Sequence, residues 1–375
     1  MTAVSTDSVK IKTVKEIEKL RQKIDLIDRE ILRLLNERAR IAKEIGRIKK
    51  ERNLEIHVPE RERAIFEKLL RLNKTEFGEE FPPEALVHIY REIISACLSL
   101  EKPLRIAYLG PKATFTHQAA LEFFGFSAQY VPCTTIRDVF AEVESERADY
   151  GVVPVENTIE GVVNYTLDMF LESDLKISGE IVIPISLHLL SSCENLGEVE
   201  RVYSHKVALG QCRKWLEKNL PQARVIETES TAKACEIALE EEKTAAIASE
   251  VAGYTYHLNV LARNIQESGD NFTRFLVISR RRMKPTGKDK TSLIFAVRDE
   301  PGALYRALEA FYRKGINLTK IESRPSRRRA WDYVFFVDLE GHQEEERVKE
   351  VLEDLKGRTQ MVKILGSYPR ALLRE

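Results

Sequence analysis

The chain lacks an excess of charge of either sign. Lysine and arginine total 59, aspartate and glutamate total 59, and the formal net charge of the 375 residues at pH 7 is zero. Nucleic acid or an anionic membrane surface calls for a basic footprint, and none stands out. Cysteine is scarce as well. Cys97, Cys133, Cys193, Cys212 and Cys235 are widely spaced and form no C-x-x-C, which argues against a disulfide frame or metal cluster and for a reducing cytoplasm. Residues 1–15 have no apolar leader-like stretch, and no run approaches the length of a membrane span. There is no G-x-G-x-x-G and no Walker loop, so no nucleotide cofactor is expected, and with the cysteines so dispersed no metal is expected either.

Charged residues of both signs are plentiful at 31%, above the usual quarter. The length suits two or three domains, each with its own core. From Ile17 the apolar residues recur at Leu20, Ile24, Ile27, Ile31, Leu34, Ile41, Ile45 and Ile48, a seam with steps of three and four. Arg38 fills the one gap. A helix over 14–50 would be about 50 Å long, wider than a small domain, and is expected to pack against a second copy of itself. Lys49 falls about 20° from Arg38 around such a helix, whereas Arg21 lies about 100° away, cannot easily serve the same pocket within one chain, and could serve a partner's. Taken singly, Arg38 reads as a snorkelling side chain and Lys49 as ordinary surface. Two helices follow, after Pro59 and after Pro82-Pro83, and Glu101 shares the face of Cys97 on the last.

Leu20-Arg21-x-x-Ile24-Asp25-x-x-Asp28, Glu37-Arg38, Lys49 and Arg61-Glu62 together resemble the all-helical chorismate mutase family. The resemblance implies an intertwined dimer in which Arg21 crosses into the neighbour's site, while Arg38, Lys49, Arg61 and Glu62 line the pocket. Val58 stands where some members carry aspartate, and Glu101 where some use glutamine. Glu101 can donate to an ether oxygen only when protonated, so mutase activity is expected to fall as pH rises, and Glu101→Gln to broaden the profile.

From Arg105 the pattern changes to short apolar strands alternating with helices, the mark of an open, mostly parallel sheet. Polar residues cluster where strands give way to helices: Thr114 and Thr116, Glu156-Asn157-Thr158, Ser204-His205, and Ser230-Thr231. Each Ser or Thr could be a helix cap, but ligands of open sheets also bind at such junctions. Asn271-Phe272-Thr273-Arg274-Phe275 puts a carboxamide, a hydroxyl and a guanidinium at the mouth of the apolar run Leu276-Val277-Ile278-Ser279. The strand at 276–279 is expected to return to the first lobe, which makes the second lobe an insertion.

Tyr-Leu-Gly-Pro at 108–111, Thr114-Phe115, Val-Pro-Val-Glu-Asn at 153–157, Ser204-His205 with Gln211-Cys212, Glu229-Ser230-Thr231 and residues 271–275 match, in order, the motifs of prephenate dehydratases. Ala113 and Lys206 depart from the usual glycine and proline. The resemblance implies that Thr273 hydrogen-bonds or protonates a departing hydroxyl, with Asn157 and Gln211 orienting substrate. A threonine hydroxyl is a poor acid, so Glu156 or His205 is a candidate to share the proton work. Thr114, Thr116, Thr158, Ser204, Ser230, Thr231, Phe272 and Arg274 are the expected substrate contacts, Arg274 as a carboxylate partner.

After a basic, turn-rich linker at 280–288, the order βαββαβ predicts a ferredoxin-like domain, its third strand running from Trp331. Pro301-Gly302-Ala303-Leu304 and Glu322-Ser323-Arg324-Pro325 resemble the phenylalanine-binding motifs of ACT regulatory domains, with Tyr305 in place of the common valine. Gly302, Ala303, Leu304, Asn317, Glu322, Ser323, Arg324 and Pro325 are the expected effector contacts. Deleting 285–375 is expected to leave activity and remove inhibition.

The expected plan is multi-domain: an all-α mutase module at 10–102, a two-lobed α/β, periplasmic-binding-protein-like dehydratase domain at 103–282 (lobe 1 about 103–180 plus 273–282, lobe 2 about 181–272), and an α+β ACT domain at 290–370. Chorismate and prephenate are the implied substrates and phenylalanine the implied effector, in a cytoplasmic homodimer or higher homo-oligomer joined through the helical module and the ACT domain. Two rival readings are a non-catalytic aromatic-acid sensor and a monofunctional dehydratase with an inactive mutase module.

Overall fold

The computed structural model describes residues 4–52, 54–55, 57–325 and 333–371, with residues 4–14 as backbone alone. Trp331 lies outside the described residues. The chain forms two compact units, Met1–Val58 with Ile65–Pro103, and Pro59–Ala64 with Leu104–Glu375.

The first unit is built from α1 (Val4–Glu51), most of α2 (Pro59–Thr75) and α3 (Pro83–Glu101). Pro59 and Pro83 each occupy a first-turn position, where the missing N–H costs nothing and the fixed φ suits the helix. α3 stops as Lys102 turns extended ahead of Pro103. Gly46 lets α3 approach α1, because a Cβ there would stand 2.8 Å from the Cγ of Glu101. The apolar seam of α1 remains open: Leu20 is 58% exposed and Ile24 55%.

Among the described residues the second unit holds three sheets. Its elements are β1 (Arg105–Leu109), α4 (Phe115–Phe124), β2 (Gln129–Cys133), α5 (Ile136–Glu144), β3 (Tyr150–Asn157), β4 (Gly161–Val162), α6 (Asn164–Glu172) and β5 (Lys176–Pro184). Then come β6 (His188–Ser191), β7 (Arg201–His205), α7 (Lys206–Gln211), α8 (Arg213–Asn219), β8 (Arg224–Thr228), α9 (Thr231–Glu240), β9 (Thr244–Ala248), α10 (Glu250–Tyr256), β10 (Asn259–Ala262) and β11 (Phe272–Ser279). The chain closes with β12 (Asp289–Ala296), α11 (Ala303–Arg313), β13 (Leu318–Pro325), β14 (Tyr333–Glu340), α12 (Glu346–Arg358) and β15 (Met361–Pro369).

The first sheet has the order β2-β1-β3-β11-β5, and the second β10-β6-β9-β7-β8. β11 comes back after the whole second sheet to lie antiparallel between β3 and β5. Bonded on both edges, it buries Phe275 through Ser279, as a central strand must. β11 opens at Phe272, earlier than its apolar run suggests, so Thr273 is itself a sheet residue. The helix after His205 breaks at Cys212 into α7 and α8.

The third sheet, β13-β14-β12-β15, is antiparallel throughout and has the ferredoxin-like order. One face carries Leu293, Phe295, Phe335 and Val337 beneath α11 and α12. On the other, Ile294, Phe336, Leu365 and Tyr368 share one core with Val153, Phe170 and Leu276 of the first lobe. β15 presses so closely on β5 that a Cβ at Gly366 would lie 2.2 Å from the Ile177 carbonyl oxygen.

Candidate active site

Asn157 ends β3 and Thr273 faces it across the sheet. Just beyond, the register slips between Arg274 and Phe275, a bulge of the kind that re-aims side chains beside functional sites. The Asn157 Oδ1 accepts the backbone N–H groups of Ile159 and Glu160, both at 2.9 Å. Its Nδ2 donates to Thr273 Oγ1 at 2.8 Å and to Asn271 Oδ1 at 2.8 Å. Asn271, 1% exposed, donates through Nδ2 to Gln211 Oε1 at 3.0 Å. Thr158 ties down the entry to β11, donating to the Asp270 carbonyl and accepting from the Phe272 N–H. Phe272 itself is 38% exposed. Asn157, Thr273 and Gln211 are thus joined into one chain, and Asn271 is the link that motif order alone did not assign.

A cavity of about 360 Å³ opens beside this chain, lined by Gln211, Asn271, Ile159 and Glu160 together with Lys206 at the start of α7. Gln211 is placed there by its backbone, whose carbonyl accepts from the Glu267 N–H at 2.8 Å.

The other hydroxyls divide by role. Thr114 caps α4, accepting from the His117 N–H, and Ser230 caps α9, accepting from the Lys233 N–H. Thr231 opens α9 and Thr116 is buried in α4. Ser204 is fully buried and donates to the Ile247 carbonyl at 2.5 Å; it faces the second sheet's interior. The His205 Nδ1 accepts from the Val207 N–H at 3.4 Å. His117, stacked on Tyr108 with ring centroids 4.7 Å apart, has its pKa pushed down to about 4 by burial and then by Lys112.

Arg274 corrects the sequence-based expectation. Next to Thr273 along a strand it must point to the opposite face, and there the third sheet meets it. Its Nε donates to Glu180 at 2.8 Å, Nη1 to Asp338 at 2.6 Å and Nη2 to the Tyr368 hydroxyl at 3.0 Å. Lys290 adds a second cation on Glu180 at 2.8 Å, and Ser292 a donor to Asp338. Burial disfavours the guanidinium charge, but Tyr368, Asp338 and Glu180 outweigh it, so the Arg274 pKa lies above its ordinary value. Glu156, the cross-strand partner of Arg274, likewise turns to the third sheet and pairs with Lys320 at 2.7 Å. Neither side chain joins the amide chain at the cleft.

In the helical unit, Arg38 reaches the Ile93 carbonyl of α3 at 3.4 Å. Lys49 pairs with Glu101 at 3.3 Å, the carboxylate only 7% exposed. Arg21 is exposed on α1. Arg61 and Glu62 stand in the first turn of α2, within the stretch Pro59–Ala64 that belongs to the second unit.

In the third sheet's domain, Gly302 adopts a left-handed φ of 77° ahead of Ala303 and Leu304 in α11, a conformation glycine takes without strain. Asn317 is exposed just before β13. Burial alternates along β13, so Glu322 shares the half-buried face of Lys320 and Arg324, while Ser323 and Pro325 are exposed. The Arg324 Nη2 donates to both carboxylate oxygens of Asp168 in α6, at 3.0 and 3.2 Å.

Among the described residues no group of His, Cys, Asp and Glu could hold a metal, and no helix is long and apolar enough to cross a membrane. Three family models match the chain: chorismate mutase type II over residues 20–102, prephenate dehydratase over 106–283, and the ACT domain over 291–357. A bifunctional chorismate mutase/prephenate dehydratase of Aquifex aeolicus is 75% identical over 96% of this chain and all of its own length. Its counterpart in Pseudomonas aeruginosa is 43% identical over 96% of this chain and 99% of its own. A prephenate dehydratase from Arthrobacter aurescens, solved in complex with L-Phe, matches 71% of this chain and 90% of its own at 35% identity and a TM-score of 0.66. Helical module, two-lobed domain and ferredoxin-like domain follow one another here as those three models do, and the chain belongs to the family of bifunctional chorismate mutase/prephenate dehydratases.

Proposed function

We propose that the chain is a bifunctional enzyme of phenylalanine biosynthesis, rearranging chorismate to prephenate and converting prephenate to phenylpyruvate under feedback by phenylalanine. The observation that carries the second activity is the polarity of the Asn157–Thr273 bond. Asn157 is the donor, so the Thr273 hydroxyl keeps its own proton to give. In a prephenate complex the ring carboxylate leaves as CO2, its bonding electrons enter the ring, and the C–O bond breaks toward the departing hydroxide. The Thr273 O–H hydrogen-bonds that hydroxide as it leaves, and the hydroxide takes its proton from solvent to become water. Aromatisation supplies the driving force, so orientation and charge stabilisation are the protein's main work.

The rearrangement of chorismate needs no nucleophile, only a clamped dicarboxylate and a donor at the breaking ether bond. Arg38 and Lys49 serve as cations and Glu101, in its protonated form rather than as the carboxylate paired with Lys49, as the donor, with Arg61 and Glu62 contributing to binding. The open seam of α1 (Leu20 58% and Ile24 55% exposed) supports a homodimer or larger homo-oligomer, whose partner copy would receive Arg21. Phenylalanine binds at the ACT domain around Gly302 and Glu322, and the working compartment is the cytoplasm.

The test follows chorismate consumption and the appearance of prephenate and phenylpyruvate. Thr273→Ala is expected to lower phenylpyruvate formation by about 10²-fold or more, the scale of a lost proton-transfer or oxyanion donor, with mutase turnover intact. Parallel loss of both activities, or turnover of neither substrate by the unaltered chain, overturns the proposal.

A further inference from the structure

Asn271 is buried, makes no direct bond to Thr273, and yet stands between two amides that the dehydratase reading needs. Its surroundings fix which way each amide points. Two backbone N–H groups, those of Ile159 and Glu160, donate to one atom of the Asn157 amide, and an N–H group can meet only an acceptor, so that atom is the oxygen. The Asn157 NH2 therefore faces Asn271, which must answer with its own oxygen at 2.8 Å. That turns the Asn271 NH2 toward Gln211, and at 3.0 Å the Gln211 atom it meets must be Oε1. The Gln211 NH2 is the end left over. Gln211 lines the 360 Å³ cavity together with Lys206, so a donor amide and a cation border the same space, a pairing suited to a substrate carboxylate.

We infer that Asn271 is a positioning residue of the dehydratase site, which locks Gln211 with its NH2 rather than its carbonyl presented to substrate. The inference rests on the reading of Gln211 as a substrate-orienting group. Two main-chain N–H groups anchor a relay of three side-chain amides, and the relay transmits their polarity across three separate segments, β3, the entry to β11, and α7. Without the Asn271 donor, Gln211 is free to rotate, and its carbonyl then meets the carboxylate with the wrong sign.

Asn271→Asp keeps the shape and the acceptor for Asn157 but replaces the donor to Gln211 by a second acceptor, so Gln211 must turn. The expected result is a loss of dehydratase kcat/KM of about tenfold or more, carried chiefly by KM, the scale of a misdirected buried hydrogen bond, with mutase turnover unchanged. Asn271→Ala, which adds no charge, is expected to lose activity in the same sense but less. The deciding measurement is a double-mutant cycle with Gln211→Ala. If Asn271 acts through Gln211, adding Asn271→Asp to Gln211→Ala costs less than about twofold more, because coupled residues are not additive. A full additive loss would mean a direct charge or folding effect and would overturn the relay, as would wild-type activity in both Asn271 variants. If Gln211→Ala alone leaves dehydratase activity untouched, the reading of Gln211 falls first and the relay with it.

Discussion

Thr273 and Arg274 are neighbours in one motif, yet they serve opposite faces of the same sheet. On the cleft face, Thr273 joins a chain of neutral amides and hydroxyls whose protons have defined directions. On the other face, Arg274 sits among Glu180, Asp338, Lys290 and Tyr368, two carboxylates balanced by two cations. The first arrangement suits chemistry, because the chain ends at Gln211, which borders an open cavity. The second suits attachment: it is closed, satisfied and shared between the dehydratase lobe and the ACT sheet. A central strand bonded on both edges connects the two faces, so the link between regulator and site is a single peptide bond long.

The largest effect on that contrast is expected from Arg274→Ala. Removing one member of a buried, hydrogen-bonded ion cluster strands its partners, a loss of about 3–5 kcal/mol. Denaturant unfolding should show a much lower midpoint, whereas Thr273→Ala should unfold near the unaltered chain. If Arg274→Ala kept full stability and only raised KM for prephenate, the guanidinium would belong to the cleft and the two-face description would be wrong.

A smaller loss is expected at Gly366. An added methyl would lie 2.2 Å from the Ile177 oxygen and 2.9 Å from its nitrogen, backbone atoms that cannot swing aside. Gly366→Ala should therefore force β15 away from β5 at a cost of about 1–3 kcal/mol, as overpacking generally does. Calorimetry would detect it, and an unchanged transition would show that the ACT sheet is only loosely seated. The same packing revises what the sequence suggested about truncation. Ile294, Phe336 and Leu365 complete the core of the first lobe, so removing residues 285–375 uncovers apolar surface and strands Arg274 and Glu180.

Much of this was legible from the residues. Pro59 and Pro82-Pro83 mark two helix starts because proline's missing donor is harmless there, and Arg105–Leu109 is apolar enough to be read as a buried strand. Strand period two also dictates that Thr273 and Arg274 diverge. What it could not say is which of them meets the cleft, since that depends on a docked sheet whose Asp338 and Tyr368 lie 64 and 94 residues further along. Nor does any local pattern reveal that Ser204 turns inward to the Ile247 carbonyl, or that Asn271 reaches Gln211. Both are contacts between segments that only the assembled fold brings together. The hydroxyls of Thr114 and Ser230 went the other way, their helix-capping bonds being the plainest reading of their position.

The smallest effect concerns the cation that the cleft does possess. With Arg274 held on the far face, Lys206 is the basic residue bordering the cavity beside Gln211. Its exposed position at the start of α7 means that water screens it, so its attraction for a carboxylate is worth about 1 kcal/mol at most. Lys206→Met keeps the aliphatic stem and removes the charge, and should raise the dehydratase KM by about fivefold, the equivalent of that energy, with kcat nearly unchanged. The effect should shrink in high salt, because an exposed ion pair is screened within about 10 Å at 0.1 M ionic strength. A fall in kcat with KM constant would place Lys206 in the chemical step instead. No change in either constant would mean that the carboxylate is held by neutral donors alone, which would put the whole of substrate recognition on the amide chain and sharpen the contrast between the two faces.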